Sequence, residues 1–359
     1  MNEDAGTIGL DELLGEEVPH PLLKTSFERA YLRDADHHRR HLPTGATEFL
    51  KTLAEKADVV AEGVPSVLYF GGGKIEQPDF NHAMATSGRI ATGHKRTQAI
   101  TGSGPGIMEA AHRGPTDAIN GAARNVGLTL EGLVHKESPG LHNHELVTLA
   151  NMSRRLELFL RLSQGGVIFP GGIGTLEEIA AVLAILLHPK NEGVHYPFVL
   201  SEREEGDGTY MRTVMKFLEQ TLGDQTKQHL SVHQGFSREG LEDILALSGN
   251  KQGHWNGGLH MPSTAFHPFK LDPSHVASID LSHPQDNPIR FLGHVRWFMN
   301  LLVQLIMIDR EGDYIREHGI PVVKASQGVR DALTPVLDLV WAQGRVKTER
   351  TLNELIRFE

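Results

Sequence analysis

The chain has 359 residues, 39% of them hydrophobic and 22% charged, which supports a sizeable core and excludes a disordered or fibrous protein. Its 35 basic and 45 acidic residues leave a formal net charge of −10, so nothing draws it globally to nucleic acid or to an anionic membrane. It has no cysteine, which removes disulfides, thiolate metal sites, iron–sulfur clusters and cysteine nucleophiles.

The apolar runs Ile179–Leu187 and Phe298–Ile308 reach only about half of the ~20 residues that cross a bilayer. The acidic start (Glu3, Asp4, Asp11, Glu12, Glu16, Glu17) does not read as a signal or transit peptide, so a cytoplasmic location is expected. Three regions are predicted: an N-terminal helical extension over 1–65, a core over 66–250 and a C-terminal loop-plus-helix element over 251–359. In the first, Phe27, Ala30 and Tyr31 recur at helical spacing, as do Phe49, Leu53 and Val60 more loosely. The basic knot His37–His41 reads as a solvated helix face.

From Ser66 short apolar runs alternate with amphipathic stretches. Strands are predicted at Ser66–Phe70, Gln98–Thr101, Gly127–Leu133, Leu146–Leu149, Gly166–Phe169 and Pro197–Leu200. Helices are predicted at Phe80–Ala91, from Ile107, at Arg154–Leu162, at Thr175–Leu187 and around Met211–Leu222. Strand, turn and helix in repetition predict an α/β fold, a Rossmann-like doubly wound parallel sheet. Ligands on such sheets sit at the carboxyl ends of the strands. The Gly-rich turns Gly71–Gly73, Gly102–Gly106 and Pro170–Gly174 fall there. Tyr69 and Phe70 are core. Beyond residue 250 come scattered histidines and prolines, then two predicted helices, Ile289–His318 and Gln327–Leu355.

Gly102-Ser-Gly104-Pro-Gly106-Ile-Met108 lies between a strand and a helix. Glycines admit an anion close to the backbone N–H groups, and a helix N-terminus favours negative charge. The spacing is not that of a dinucleotide fingerprint. Two uses stay open: holding an anion, or packing helix tightly on strand. Pro170-Gly171-Gly172-Ile173-Gly174-Thr175 is the stronger turn, because a hydroxyl joins three glycines at the opening of a helix. No lysine follows the last glycine, so a triphosphate loop is excluded and a monophosphate held without metal fits.

Glu178 lies three residues after Thr175 and shares the helical face of the turn. It either serves the ligand or complements the helix dipole. Glu177 points about 100° away and reads as a first-turn residue that complements the dipole. The chain has 21 histidines. The intervals between His254, His260 and His267 suit neither helix nor strand ligand geometry, so no metal is expected. Trp255, Phe266 and Phe269 read as core packing, and no partner is visible for Lys74 that would mark a Schiff-base lysine. The helices Thr175–Leu187 and Gly293–Ile308 look too apolar for one monomer surface and point to a homo-oligomer, a dimer or tetramer.

Asn151-Met-Ser-Arg-Arg-Leu-Glu157 followed by Phe169-Pro-Gly-Gly-Ile-Gly-Thr-Leu-Glu-Glu178 resembles the LOG family, phosphoribohydrolases once labelled lysine decarboxylases. Their signature is P-G-G-x-G-T-x-x-E after a helix bearing Met and Arg. The resemblance covers roughly Ser66–Gly223. His188-Pro189, Leu259-His260, His267-Pro268-Phe269 and Leu281-Ser-His-Pro284 extend it to the long bacterial branch, whose members are nucleotide 5′-monophosphate nucleosidases. The resemblance implies that Gly171, Gly172, Gly174 and Thr175 hold a 5′-phosphate. It implies that Gly104, Gly106 and Met108 line the nucleotide pocket, and that Arg155 and Glu178 are the catalytic pair, with Arg154 at the surface. His260 and His267 would cap the site. The implied reaction takes a nucleoside monophosphate and water to free base and ribose 5-phosphate, with no cofactor. Alternatives from the same residues are a cytokinin-activating phosphoribohydrolase acting on N6-modified AMP, and a nucleotide sensor that binds without cutting.

Overall fold

The computed structural model describes residues 65–93, 97–121, 123–130, 142–149, 152–194, 196–235, 259–260, 269–307, 309 and 312–359. The expected N-terminal helices, the His37–His41 knot, strand residues 131–133, His254, Trp255, Phe266 and His267 lie outside them. The side chain of Arg154 does so too.

Strands and helices alternate: β1 (Ser66–Phe70), α1 (Gln77–Ala91), β2 (Gln98–Thr101), α2 (Ile107–Ala118), β3 (Val126–Leu130), β4 (Glu145–Leu149), α3 (Met152–Leu162), β5 (Gly165–Ile168), α4 (Ile173–Leu186), β6 (Phe198–Glu202), α5 (Thr209–Leu222) and β7 (Leu230–Gln234). The strands form a seven-stranded sheet of order β4-β3-β2-β1-β5-β6-β7. The registers are parallel, with Ser66 beside Gln98, Ile100 beside Val126 and Gly166 beside Phe198. This is the Rossmann-like α/β fold expected. β1, β2, β5 and β6 are buried along their whole length, as a parallel sheet covered on both faces requires.

The chain divides into two compact units. Of the described residues, those in 65–69 and 83–165 make the first unit and those in 70–82, 166–235 and 259–359 make the second. In the first, α2 carries Ile107, Ala110 and Ala111 on its buried side, and α3 buries Leu156, Phe159 and Leu160.

In the second unit, α4 is buried almost all round, from Ile173 to Leu186. Its cover is α7 (Pro288–Met307), against which it packs more extensively than any other helix pair among the described residues. A proline at the first helical position and the Asn287 side chain, accepting from the Arg290 N–H at 2.9 Å, start α7. These two apolar helices satisfy each other within one chain, so their apolarity does not call for a second copy.

The C-terminal element departs from the two long helices expected. α7 ends at Met307, and α8 (Asp313–His318) starts afresh after Gly312 at φ 76°. β9 (Val322–Ala325) then separates α8 from α9 (Gln327–Ala342). α9 stops at Gly344, whose φ of 61° is a left-handed helix terminus, and α10 is the short turn Leu352–Leu355. β9 pairs in parallel with β8 (Asp280–Leu281) and β10 (Arg357–Phe358) in a small second sheet. α6 (Pro273–Ala277) precedes β8. No helix among the described residues is long and apolar enough to cross a membrane.

Candidate active site

The Gly102–Gly106 turn follows the carboxyl end of β2. Ser103 adopts φ 57°, rare for a residue with a side chain. Two bonds hold it there: its N–H donates to Thr101 Oγ1 at 2.9 Å, and its hydroxyl accepts from Asn143 Nδ2 at 2.8 Å. Gly106, at φ 74°, opens α2 with no side-chain cap. Arg155 comes up from α3 and is 6% exposed. Its Nε donates to the Leu128 carbonyl at 2.8 Å and its Nη2 to the Gly102 carbonyl at 3.1 Å. The guanidinium carbon lies 5.3 Å from the Phe159 ring centroid, one helical turn on.

A β-carbon at Gly102 would meet Arg155 Nη2 at 1.9 Å and Met108 Sδ at 2.8 Å. Only glycine admits both. Met108, Arg155 and the turn carrying Gly104 and Gly106 are thus assembled around one backbone position. Beneath them lies His112, bonded to Thr101 Oγ1 at 3.1 Å and pushed down to about 3 by burial. It is a neutral packing group.

The second turn follows β5 in the other unit. The Phe169 N–H donates to the Phe70 carbonyl at 2.9 Å, and the Gly72 N–H to the Pro170 carbonyl at 3.2 Å. A β-carbon at Gly171 would collide with Thr175 Oγ1 at 2.1 Å, and one at Gly172 with the Arg345 carbonyl oxygen at 2.7 Å. At Gly174 it would meet nothing within 4 Å. Gly171 and Gly172 are therefore required by close packing, whereas Gly174, the second residue of α4, leaves open space at the start of the helix. Gly172 begins α4 without a side-chain cap. The first N–H groups of such a helix have no intrahelical acceptor, so they present donors and the positive end of the dipole. Thr175 is buried beside them, and Glu178 is half-buried on the next turn.

Glu177 does not play the part expected of it. It is 2% exposed and lies 3.5 Å from Arg296 Nε of α7, which is equally buried. It also accepts from Asn300 Nδ2 at 3.1 Å. Adjacent glutamates thus have different work: Glu177 fastens α4 to α7, and Glu178 stays within reach of solvent.

Four residues around this turn were not singled out from sequence. Asp79 of α1 is bonded to Arg345 Nη2 at 3.2 Å and paired with Arg203 Nε at 3.3 Å. Arg345 also reaches the Pro170 carbonyl at 3.4 Å and lies over the Tyr210 ring at 5.4 Å. Tyr210 is fully buried, and burial pushes its hydroxyl up to about 12. That hydroxyl lies by the Gly171 N–H, without a hydrogen bond of good geometry among the described residues. Lys74 donates to the Val346 carbonyl at 3.4 Å. Gly344 ending α9 is the one local signal that would have brought Arg345 to notice.

His188 and His260, named by the resemblance, do come together, with ring centroids 4.4 Å apart. Asn191 clamps the His260 backbone, accepting from its N–H at 2.6 Å and donating to its carbonyl at 2.8 Å. Phe269 is buried, as expected.

A family model described as "Possible lysine decarboxylase" matches residues 108–244. The match takes in Met108, Arg155, the Gly171–Thr175 turn and Glu178, and leaves out Gly104, Gly106, Asp79 and Arg345. The pyrimidine/purine nucleotide 5′-monophosphate nucleosidase of Escherichia coli K12 is 31% identical over 179 residues. The alignment covers 48% of this chain and 38% of that relative's length. The proteins of the same description from two further Escherichia coli strains match equally. A molybdenum cofactor binding protein from Rippkaea orientalis overlays on 51% of this chain and 94% of its own, at 18% identity and a TM-score of 0.38. Residues 108–244, which hold both the arginine helix and the glycine turn with its glutamate, thus carry the match to the possible lysine decarboxylase family that includes the LOG enzymes.

Proposed function

We propose that this chain hydrolyses the N-glycosidic bond of nucleoside 5′-monophosphates, releasing the free base and ribose 5-phosphate. One observation carries the reading. The uncapped start of α4 offers N–H donors and buried Thr175 at a turn left open by Gly174, with half-buried Glu178 one helical turn later. A turn of that kind suits a monoester phosphate. A carboxylate so near a bound phosphate is unfavourable unless it acts on the ligand. The 31% identity to a nucleotide nucleosidase over 179 residues supports the choice of bond.

In this reading the N–H groups following Gly172 and the Thr175 hydroxyl hold the phosphate, and Gly171 gives Thr175 the room it needs. Binding energy from that remote group serves the reacting centre. As the C1′–N bond lengthens, positive charge grows on the ribose ring, and the Glu178 carboxylate stabilises it and orients the attacking water. The water oxygen bonds to C1′, the bond electrons leave with the base, and the proton ends on the base nitrogen. Arg155 serves the departing base or the phosphate from its buried seat, while Gly104, Gly106 and Met108 line the nucleotide. None of these steps calls for a cofactor.

The test is chromatographic. Purified protein is incubated with AMP, GMP, IMP, CMP, UMP and N6-isopentenyl-AMP. Base and ribose 5-phosphate in equal amounts, lost in Glu178→Gln, are the expected result. Preference for the N6-modified substrate would move the reading to the cytokinin-activating reaction. Binding without release would make the chain a sensor.

A further inference from the structure

The charge cluster beside the Pro170–Gly172 turn takes no part in the reaction just described, yet it leads to the turn: Arg345 bonds the Pro170 carbonyl, Asp79 holds Arg345, and Arg203 holds Asp79. Asp79 is 7% exposed and lies between two guanidiniums, those of Arg203 and Arg345. Arg345 commits its Nη2 to Asp79, its Nη1 to the Pro170 carbonyl and its Nε to Gln343 Oε1 at 2.7 Å. Its guanidinium carbon lies over the Tyr210 ring at 5.4 Å, and the Tyr210 hydroxyl lies by the Gly171 N–H. Its own carbonyl occupies the space that a side chain on Gly172 would fill. One residue therefore bears on Pro170, Gly172 and, through Tyr210, Gly171.

We propose that Arg345 is the positioning residue of the phosphate turn, a latch supplied by the chain segment after α9. This rests on the reading of that turn as the 5′-phosphate site. Three of the five N–H donors of Arg345 are committed to Asp79, Pro170 and Gln343, so it acts chiefly through the turn. It fixes the Pro170–Gly172 backbone so that the N–H groups opening α4 converge. A guanidinium is needed because its planar fork serves a carboxylate and a carbonyl at once while stacking on an aromatic ring. Asp79 holds the fork in place, and Arg203 holds Asp79 from its other oxygen.

The experiment titrates wild type, Arg345→Ala, Arg345→Lys, Gly172→Ala and the surface control Arg316→Ala with ribose 5-phosphate and with inorganic phosphate, reading the thermal midpoint, and measures kcat and KM on the best monophosphate. Arg345→Ala is expected to raise the half-saturating ribose 5-phosphate concentration and KM by about tenfold or more, the loss that follows when charge-assisted bonds that order a binding loop are removed. In Arg345→Ala, kcat falls less than KM rises. Arg345→Lys recovers part of the loss by keeping the Asp79 contact. Gly172→Ala reproduces the loss without touching any charge, because its methyl drives the turn off the Arg345 carbonyl. Arg316→Ala titrates as wild type. A purely structural arginine would lower the unliganded midpoint and leave half-saturation unchanged, and that result overturns the proposal. If Arg345→Ala does not fold, Arg345→Lys and Gly172→Ala decide by the same criterion. A wild-type protein that responds to neither phosphate overturns the latch together with the phosphate reading, whereas a wild-type response retained in the variants overturns the latch alone.

Discussion

Exchanging Glu177 and exchanging Glu178 should give opposite phenotypes. Glu177 and Arg296 are each 2% exposed and stand 3.5 Å apart. At an effective dielectric of about 20, that separation corresponds to roughly 5 kcal/mol of attraction, offset by the desolvation of both ions. Burial alone pushes the Arg296 guanidinium down, so removing its partner leaves an uncompensated cation in the core. Glu177→Ala is expected to cost about 3–5 kcal/mol of unfolding free energy, and adding Arg296→Met should return more than half of it. Glu178→Gln, a change that keeps the shape of a half-buried side chain, should stay within about 1 kcal/mol of wild type. It should lower kcat by about 100-fold or more, as loss of a group that stabilises developing charge does. Urea unfolding followed by the fluorescence of Trp297, next in α7 to Arg296, measures the first effect, and base release measures the second. A Glu177→Ala protein within about 1 kcal/mol of wild type would refute the buried-pair reasoning. A Glu178→Gln protein with wild-type turnover would refute the division of labour.

Gly102→Ala should reproduce Arg155→Ala, because the new methyl would stand 1.9 Å from Arg155 Nη2 and drive the guanidinium off its carbonyls; a fall in kcat/KM of about 100-fold is expected, and unchanged kinetics would contradict it. Thr175→Val keeps the shape and loses the hydroxyl, so KM for monophosphates should rise by about tenfold or more with kcat little changed. His112 is held near 3 in the folded chain against 6.5 when exposed, so the unfolded chain binds the extra proton between those values. Its contribution is fully present above pH 6.5 and is lost as the pH falls, by about 1.4 kcal/mol per pH unit. The slope of unfolding free energy against pH should flatten by that amount in His112→Gln.

Most of the doubly wound sheet was legible because parallel strands covered on both faces are short apolar runs, and Ser66–Phe70, Gln98–Thr101 and Gly165–Ile168 each end in glycine-rich turns. β7 escaped notice because Leu230–Gln234 sits at the sheet edge and buries few of its side chains. The C-terminal sheet escaped because two of its strands are two residues long, too short to carry a period. Gly312, left-handed at the start of α8, and Gly344, left-handed past the end of α9, were the glycines that marked breaks within the two over-long helices.

The candidate site divides the same way. Its glycines, Thr175 and the half-buried face of Glu178 follow from a local pattern that one helix opening enforces. Glu177 was misplaced because a helical wheel shows direction and not what stands there: the partner, Arg296, is more than a hundred residues on. Arg345 and Tyr210 reach the Pro170–Gly172 turn from distant segments, with Asp79 and Arg203 linked behind Arg345, and no local spacing encodes such a meeting. Arg155 shows the limit from the other side. Only the family resemblance pointed to chemistry there, and the structure adds the two carbonyls and the glycine that fix where its charge sits.

The most direct test is product identity from one incubation of the purified chain with nucleoside 5′-monophosphates, beside Glu178→Gln. The account predicts free base and ribose 5-phosphate in equal amounts from wild type and neither from the variant. Nucleoside with inorganic phosphate would contradict it, as would unchanged nucleotide in both samples or base release that survives in Glu178→Gln.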